Sequence, residues 1–373
     1  MRIMVLAGEE SGALYAERLK ERLRSAAGED VEFAGYGTEG FRVEDLAVMG
    51  FWPVLRRLPY FLRVARTMKR AISRWRPDAV VTIDYPGLNL KLAGYAKAHG
   101  IPAVHVVCPQ VWAWHQGRIP RIAASLTKLL CFFPFEPALF AGTGLDAKFI
   151  GHPMVDVFAE YAPQGAGEGR NERILALLPG SRLGEIRRNM PRLLKALEIL
   201  RARRPAMALR AVAPAANERA EAEMQRIARE SGAGCEVRLG GARELLRGAE
   251  CAAVASGTAT LEAALAGCPT VLVYAVSPLL AWFARRVITG VRHIGLANVI
   301  WEKSGGGGEA PMPELLQEDF TPEAVADRLG EWLDDPSARA AAVRRLDAAM
   351  RLLRSGGDAL GLAAREILSS AGK

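Results

Sequence analysis

The residues that can do chemistry fall in four short stretches, each between an apolar run and a helical pattern. Asp84, in VVTIDYPGLN, ends a predicted strand. An Asp with an ordinary pKa of about 4 is ionised at neutral pH. Partly desolvated, it can accept a proton from a hydroxyl. The same Asp before Pro86 can instead close an Asx turn. Gly8-Glu-Glu-Ser-Gly12 lies between the first strand and the first long helix. Glycines there let backbone amides face an anion or a polar oxygen at a helix start. The stretch is neither a P-loop nor GxGxxG, and a tight turn with a helix cap uses the same residues.

Pro179-Gly-Ser-Arg182 again joins a predicted strand to a helix. The amides at Gly180 and Ser181 and the Arg182 fork suit a diphosphate; a capped helix with a surface Arg is the alternative. In Ser256-Gly-Thr-Ala-Thr-Leu-Glu262, the Ser256 and Thr258 hydroxyls and the amides after Gly257 can hold phosphate. Glu262, a turn further on, can accept both hydroxyls of a ribose. Ser and Thr also cap ordinary helices. Two such turns in one half of the chain point to a nucleotide more strongly than either alone.

A fifth stretch is a surface rather than a catalytic constellation. Between Asp45 and Asp78 there are eight basic residues and no acidic one. Leu58, Phe61, Leu62, Ala65, Met68 and Ile72 recur at helical spacing, flanked by Trp52, Tyr60 and Trp75. A basic, aromatic, amphipathic segment suits an anionic membrane surface. A core-packing helix with a solvated Arg face fits the same pattern. Pro109–Ile119 (PQVWAWHQGRI) is rich in aromatic residues and reads as a substrate wall or a packed loop. The five histidines show no metal-ligand spacing.

The elements that must position these residues alternate. Strands are predicted at 3–7, 79–83, 103–107, 128–133 and 148–150, with helices such as 12–25 and 89–99 between them. The polar, Gly-rich stretch 162–173 reads as a linker. The pattern then restarts, with strands at 174–178, 208–212, 236–239, 252–255 and 270–274. This is an α/β chain of two doubly wound domains, whose ligands belong at the carboxyl ends of the strands. Gly305–Gly308 reads as a flexible loop. The segment 337–373 reads as helical and Arg-rich.

The 373 residues are 50% hydrophobic and 24% charged, with mean hydropathy near zero. That excludes a disordered or fibrous chain and fits two globular domains. Five cysteines without CxxC spacing give neither a disulfide framework nor a cysteine zinc site, so a reducing compartment is expected. No signal peptide is read at the start. Residues 263–284 carry no charge. Gly267, Pro269, Pro278 and the TVLVY run make them a helix end, a strand and a helix start rather than a membrane span. Net charge is +8, with nine lysines among 49 basic residues. The arginine excess suits phosphates, an anionic membrane or nucleic acid. No nucleic-acid-binding motif is present, so nucleic acid is not expected.

Taken together, LAGEESG, IDYPGLNLKLA, PQVWAWHQGRI, FPFE, FIGHPMVD, LLPGSR, ASGTATLEAALAGCPTVLVY, LANVI and PELLQ resemble the lipid-A-disaccharide synthase family, in order along nearly the whole chain. The resemblance implies an inverting glycosyltransferase of GT-B architecture. An acceptor and membrane-facing Rossmann-like domain would span 1–165, joined by a returning helix within 350–373. A UDP-sugar-binding Rossmann-like domain would span 170–349, across a cleft. The implied substrates are UDP-2,3-diacylglucosamine and 2,3-diacylglucosamine 1-phosphate, joined β-1,6 with release of UDP. The implied setting is the cytoplasmic, inner face of a Gram-negative inner membrane. The reading carries no cofactor and no metal.

Carried onto this sequence, the family's motifs make Asp84 the general base. Ser11, Gly12 and Trp112 fall on the acceptor side. Gly180, Ser181, Arg182, Ser256, Gly257, Thr258, Glu262, Asn298 and Gln317 fall on the UDP side. Trp52, Arg56, Arg57, Phe61, Leu62, Arg63, Arg66 and Lys69 form the membrane and acyl surface. Ala13 stands where the family usually has Asp, Tyr15 where a small residue or His is common, and Gly87 where many members have an acid. A divergent or inactive GT-B protein that binds a UDP-sugar or a lipid without turnover is therefore the alternative. Another GT-B enzyme would be told apart by its indifference to acyl chains.

Overall fold

The computed structural model describes residues 1–8, 10–28, 30–36, 58–160, 173–277, 281–282, 286–287 and 289–372. Within them the chain divides into two compact units, Met1–Asp156 with Leu353–Lys373, and Val157–Leu352.

The first unit carries strands β1 (Arg2–Ala7), β2 (Glu32–Gly35), β3 (Ala79–Ile83), β4 (Ala103–Val106), β5 (Lys128–Cys131) and β6 (Asp146–Phe149). They pair in the order β2-β1-β3-β4-β5-β6, every pair parallel. Parallel strands joined by helices are covered on both faces, so their sequences are continuous apolar runs rather than alternating ones. β1 shows the result. Ile3, Val5 and Ala7 meet Leu19 and Leu23 of the Glu10–Ala27 helix. Met4 and Leu6 face the other way, toward Val64, Met68 and Ile72 of the Leu58–Trp75 helix and Leu92 of the Pro86–Ala98 helix. Each such side chain, removed fully from water, contributes about 1.5–3 kcal/mol before entropy is counted.

The second unit carries β7 (Arg173–Leu178), β8 (Leu209–Ala215), β9 (Cys235–Leu239), β10 (Cys251–Ala255), β11 (Thr270–Tyr274) and β12 (Glu314–Leu316). Their order is β12-β11-β10-β7-β8-β9, again all parallel. Counted within the unit, this is the 3-2-1-4-5-6 order of dinucleotide-binding sheets. One core joins Leu175 and Leu177 of β7 to Met190, Leu194 and Leu197 of the Leu183–Arg203 helix and to Val325 and Leu329 of the Pro322–Asp334 helix.

The final helix, Ala359–Ser370, belongs to the first unit. Its Ala363, Ala364 and Ile367 are fully buried with Leu19 and Leu23. The chain leading into it is pinned. Ser355 Oγ donates to the Ile150 carbonyl (2.8 Å) and the Ala359 amide donates to the Asp156 carboxylate (2.9 Å). Arg22 pairs with Asp358 at 2.6 Å.

The predicted strands appear within one to three residues of their expected ends. Two were not predicted, β2 and β12, both short and only partly buried. The linker 162–173 falls on undescribed residues up to Arg173, which opens β7. In the uncharged stretch the Thr258–Leu265 helix ends and β11 follows. No helix among the described residues is long and apolar enough to cross a membrane. The Gly305–Gly308 run lies in loop, as expected, and begins by capping a helix. The run closes the Leu296–Lys303 helix: the Gly306 amide donates to the Trp301 carbonyl (2.8 Å), and a Cβ on Gly306 would lie 2.3 Å from the Trp301 ring.

Candidate active site

In an open parallel sheet the ligand crevice opens at the carboxyl ends of the strands, where their order reverses. In the first unit that point lies between β1 and β3, because β2 follows β1 to one side and β3, β4 and β5 run to the other. The β1 end is Ala7–Gly8 and the β3 end is Asp84. The two turns are packed against each other: a Cβ on Gly8 would lie 2.5 Å from the Tyr85 ring. Only glycine fits there.

Asp84 and Tyr85 both hold left-handed backbone, with φ of 49° and 48°. The Pro86–Ala98 helix then starts with Pro in its first turn, where no amide is missed. So the IDYP stretch is a strained strand-to-helix corner, and strain of this kind costs about 1–3 kcal/mol per residue. Asn89 holds it. Its side chain is fully buried, and Nδ2 donates to the carbonyls of Leu6 (3.2 Å), Ile83 (3.1 Å) and Asp84 (2.8 Å). Its Oδ1 accepts from the Tyr36 hydroxyl at 3.2 Å. One carboxamide therefore ties the ends of β1 and β3 to the catalytic-looking corner. Asp84 itself is half-buried, and desolvation raises its pKa above the ordinary value, against an opposing hydrogen bond from the Tyr85 backbone. The carboxyl is thus a better proton acceptor than a solvated Asp.

Gly12 is buried in the first helix, 3.6 Å by its virtual Cβ from Ala7 and from the Ile83 carbonyl. Ser11 lies in the first turn of that helix. Trp112 is buried, and its indole Nε1 donates to Glu136 at 3.0 Å. Phe133 and Phe135 meet it edge-on. It is a wall of packed aromatics with its polar atom committed inward. Glu136, the Glu of FPFE, also accepts from the Phe133 amide (3.1 Å), and burial pushes its pKa up to about 8. Cys108, Cys131 and Glu136 bring one ligand atom each within 4.8 Å of one another, the one trio among the described residues able to hold a metal. The hydrogen bond with Cys131 and burial raise the Cys108 thiol, and, against its hydrogen bond with Cys108, burial raises Cys131, which disfavours the thiolates a metal needs.

In the second unit the reversal lies between β7 and β10. The two turns read from the sequence sit at its two sides. After β7, Gly180 has φ of 119°, and a Cβ there would lie 2.6 Å from Glu185. Ser181 and Arg182 are exposed, and the Arg182 guanidinium contacts Glu185 at 3.0 Å. After β10, Gly257 and Thr258 are exposed at the start of the Thr258–Leu265 helix. Helix amides and an Arg at one crevice make an anion seat. Glu262 faces the same helix's flank and pairs with Arg243 at 2.9 Å.

Asn298 and Gln317 have their amides engaged internally. Asn298 is fully buried. It donates to the Met312 carbonyl (2.8 Å) and Glu314 (2.8 Å) and accepts from the Met312 amide (2.9 Å). Its side chain therefore fixes LANVI to PELLQ, with its amide spent within the protein. The Gln317 carboxamide pairs with both backbone groups of Val276, at 3.1 and 3.2 Å. Glu314, which sequence reasoning missed, gathers the Ile294 and Gly295 amides and Asn298. Asn89 was missed too. Both stood inside quoted motifs, but what their side chains reach lies on other elements.

On the basic segment, Val64, Met68 and Ile72 are fully buried, so one face is core; Leu62 and Arg63 point outward. Trp52, Arg56 and Arg57 lie outside the described residues.

The lipid-A-disaccharide synthetase family profile matches residues 3–356. The lipid-A-disaccharide synthase of Azoarcus sp. (strain BH72) is 38% identical over 369 residues, covering 95% of this chain and 92% of that protein. That of Neisseria meningitidis serogroup A is 37% identical over 387 residues, covering 99% and 98%. Among solved structures, a UDP-N-acetylglucosamine 2-epimerase from Listeria monocytogenes superposes with a TM-score of 0.62 at 13% identity, over 99% of this chain and 95% of its own. A spinosyn rhamnosyltransferase complexed with thymidine diphosphate gives 0.57 at 14%, over 98% and 100%. These two share the fold: two Rossmann-like α/β domains of the GT-B type. With the family profile and these relatives matching along nearly its whole length, this chain belongs to the lipid-A-disaccharide synthase family of glycosyltransferases.

Proposed function

We propose that the chain transfers 2,3-diacylglucosamine from UDP-2,3-diacylglucosamine to the 6-hydroxyl of 2,3-diacylglucosamine 1-phosphate, with inversion and release of UDP. The observation that carries this is a desolvated carboxylate, Asp84, on a strained corner at the strand reversal of one unit, in a chain of this family. Asp84 takes the proton of the acceptor 6-hydroxyl as that oxygen attacks the sugar's anomeric carbon. The bond from that carbon to the UDP oxygen breaks on the opposite face, and charge grows on the departing diphosphate. Gly180, Ser181 and Arg182 from one turn, and Ser256, Gly257 and Thr258 from the other, receive that charge with amides, hydroxyls and a guanidinium. Glu262, paired with Arg243, accepts from the ribose. Asn298 and Gln317 act by positioning this side. Ser11 and Gly12 line the acceptor side, and Trp112 shapes it from within the fold.

The segment with Phe61, Leu62, Arg63, Arg66 and Lys69, and by sequence Trp52, Arg56 and Arg57, rests on the inner face of the inner membrane. Its exposed cations and Leu62 support that.

The test is UDP release from UDP-2,3-diacylglucosamine in detergent, with and without 2,3-diacylglucosamine 1-phosphate, with product masses read. Acceptor-dependent release with a disaccharide mass is the expected result. UDP binding with no turnover would overturn it in favour of a non-catalytic binder and turn attention to Ala13.

A further inference from the structure

Charge compensation differs sharply between surfaces of this protein. On the second unit Arg187, Arg203, Arg204, Arg210 and Arg226 each face a carboxylate at close range. On the Leu58–Trp75 helix, Arg66, Lys69, Arg70 and Arg74 make no ion pair among the described residues. Neither that helix nor its neighbour Pro86–Ala98 contains an acidic residue.

These four cations surround a concavity of about 310 Å³ whose remaining lining is Ser73 and Tyr95. The Ser73 and Tyr95 hydroxyls lie 2.8 Å apart, and the Lys69 ammonium sits over the Tyr95 ring at 5.0 Å. Positioned hydroxyls among guanidinium forks match the oxygens of a phosphate. Leu62, 47% exposed, precedes Arg66 by one turn on the same helix face. A cationic concavity larger than a bare phosphate, with an apolar contact beside it, fits a lipid headgroup better than a free ion. The pocket is also not part of the crevice. Tyr95 stands nine residues into the helix that begins beside Asp84, about 14 Å along its axis. The helix runs back from the strand ends, so Tyr95 and Ser73 lie off the crevice.

We propose that this pocket binds the phosphate headgroup of an anionic membrane lipid, with Arg66, Lys69, Arg70 and Arg74 supplying charge and Ser73 and Tyr95 supplying oriented hydroxyls. It rests on the membrane reading of this segment and narrows it to one phosphate class at one place.

The experiment is flotation of the full chain with phosphatidylcholine vesicles containing phosphatidic acid. It uses wild type, Arg70→Gln/Arg74→Gln, the charge-neutral pair Ser73→Ala/Tyr95→Phe, and Arg354→Gln/Arg365→Gln as an equal-charge control. Thermal midpoints confirm the fold of each. The Arg pair should weaken partition about tenfold or more, since each surface cation counts, and the hydroxyl pair several-fold through lost hydrogen bonds, while the control barely moves. Wild type that ignores anionic vesicles would end the membrane reading and the pocket with it. Vesicle binding insensitive to both pocket variants would keep the membrane reading and overturn the pocket. Glycerol 3-phosphate or inorganic phosphate displacing the protein from vesicles at equal phosphate concentration would make it a soluble-phosphate site and overturn the lipid assignment.

Discussion

Asp84 must be ionised to accept a proton yet is held where ionisation is costly, and its neighbours set that balance. Burial raises its pKa, while the Tyr85 backbone opposes. As a base it works only when deprotonated, so turnover should rise with pH along a limb displaced above the ordinary Asp value of about 3.9. Asp84→Asn should lower kcat by about two to four orders of magnitude and abolish that limb; near wild-type kcat in a folded variant would remove Asp84 from the role. Asn89 touches no reacting atom, so its effect runs through the corner. Asn89→Ala removes the donor shared by three carbonyls, two of them buried, and should cost about 1–3 kcal/mol in urea unfolding. As a positioning residue it should also depress kcat more than KM; a loss of stability with unchanged kcat would make it purely structural. Glu136 gives a pH signature of its own. Its pKa in the fold is raised to about 8, so folding favours the protonated form. Its contribution is complete below about pH 4.3, the unfolded value, and is lost as pH rises through 8. Glu136→Gln should flatten the decline in stability across that window, and an unaltered slope would assign the decline elsewhere.

The strand-to-helix turn is the element that recurs. At Gly180 it demands a φ of 119° and room beside Glu185 that a methyl would fill. Gly180→Ala should therefore cost about 1–3 kcal/mol and weaken UDP binding, read by urea unfolding and calorimetric titration; unchanged affinity would mean that the turn does not touch the diphosphate. At Gly257 the backbone needs a φ of 149° while the Cβ position is open, so strain alone is at stake there. Strands buried on both faces were legible because a continuous apolar run has no competing amphipathic reading. β2 and β12 were not, since four and three mostly half-exposed residues carry no such run. Within β12, nothing along the chain marks Glu314 as the acceptor of the Ile294 and Gly295 amides, because those lie twenty and nineteen residues upstream.

At the scale of the whole chain, the last helix returns to complete the unit that the first helix began. Ile367, Ala363 and Ala364 close the core around Leu19 and Leu23. A fully buried Ile or Leu is worth about 1.5–3 kcal/mol, a large share of the roughly 5–15 kcal/mol that holds a domain. Ending the chain at Leu352 should abolish the first unit's cooperative transition in calorimetry and spare the second's. A truncated chain with both transitions intact would show the helix to be dispensable. By itself the sequence determined the alternation of strand and helix, the glycine turns, the acid at a strand end and, through ordered motifs, the family, because each of these is local in the chain. Only the tertiary structure decided strand order, and with it that Gly8 meets Tyr85 and that the two phosphate-type turns flank one reversal. It alone showed that Asn298 and Asn89 hold backbone, and which cations lack a carboxylate among the described residues. Parallel pairing, burial and charge compensation join residues tens to hundreds of positions apart, and no spacing along the chain encodes them.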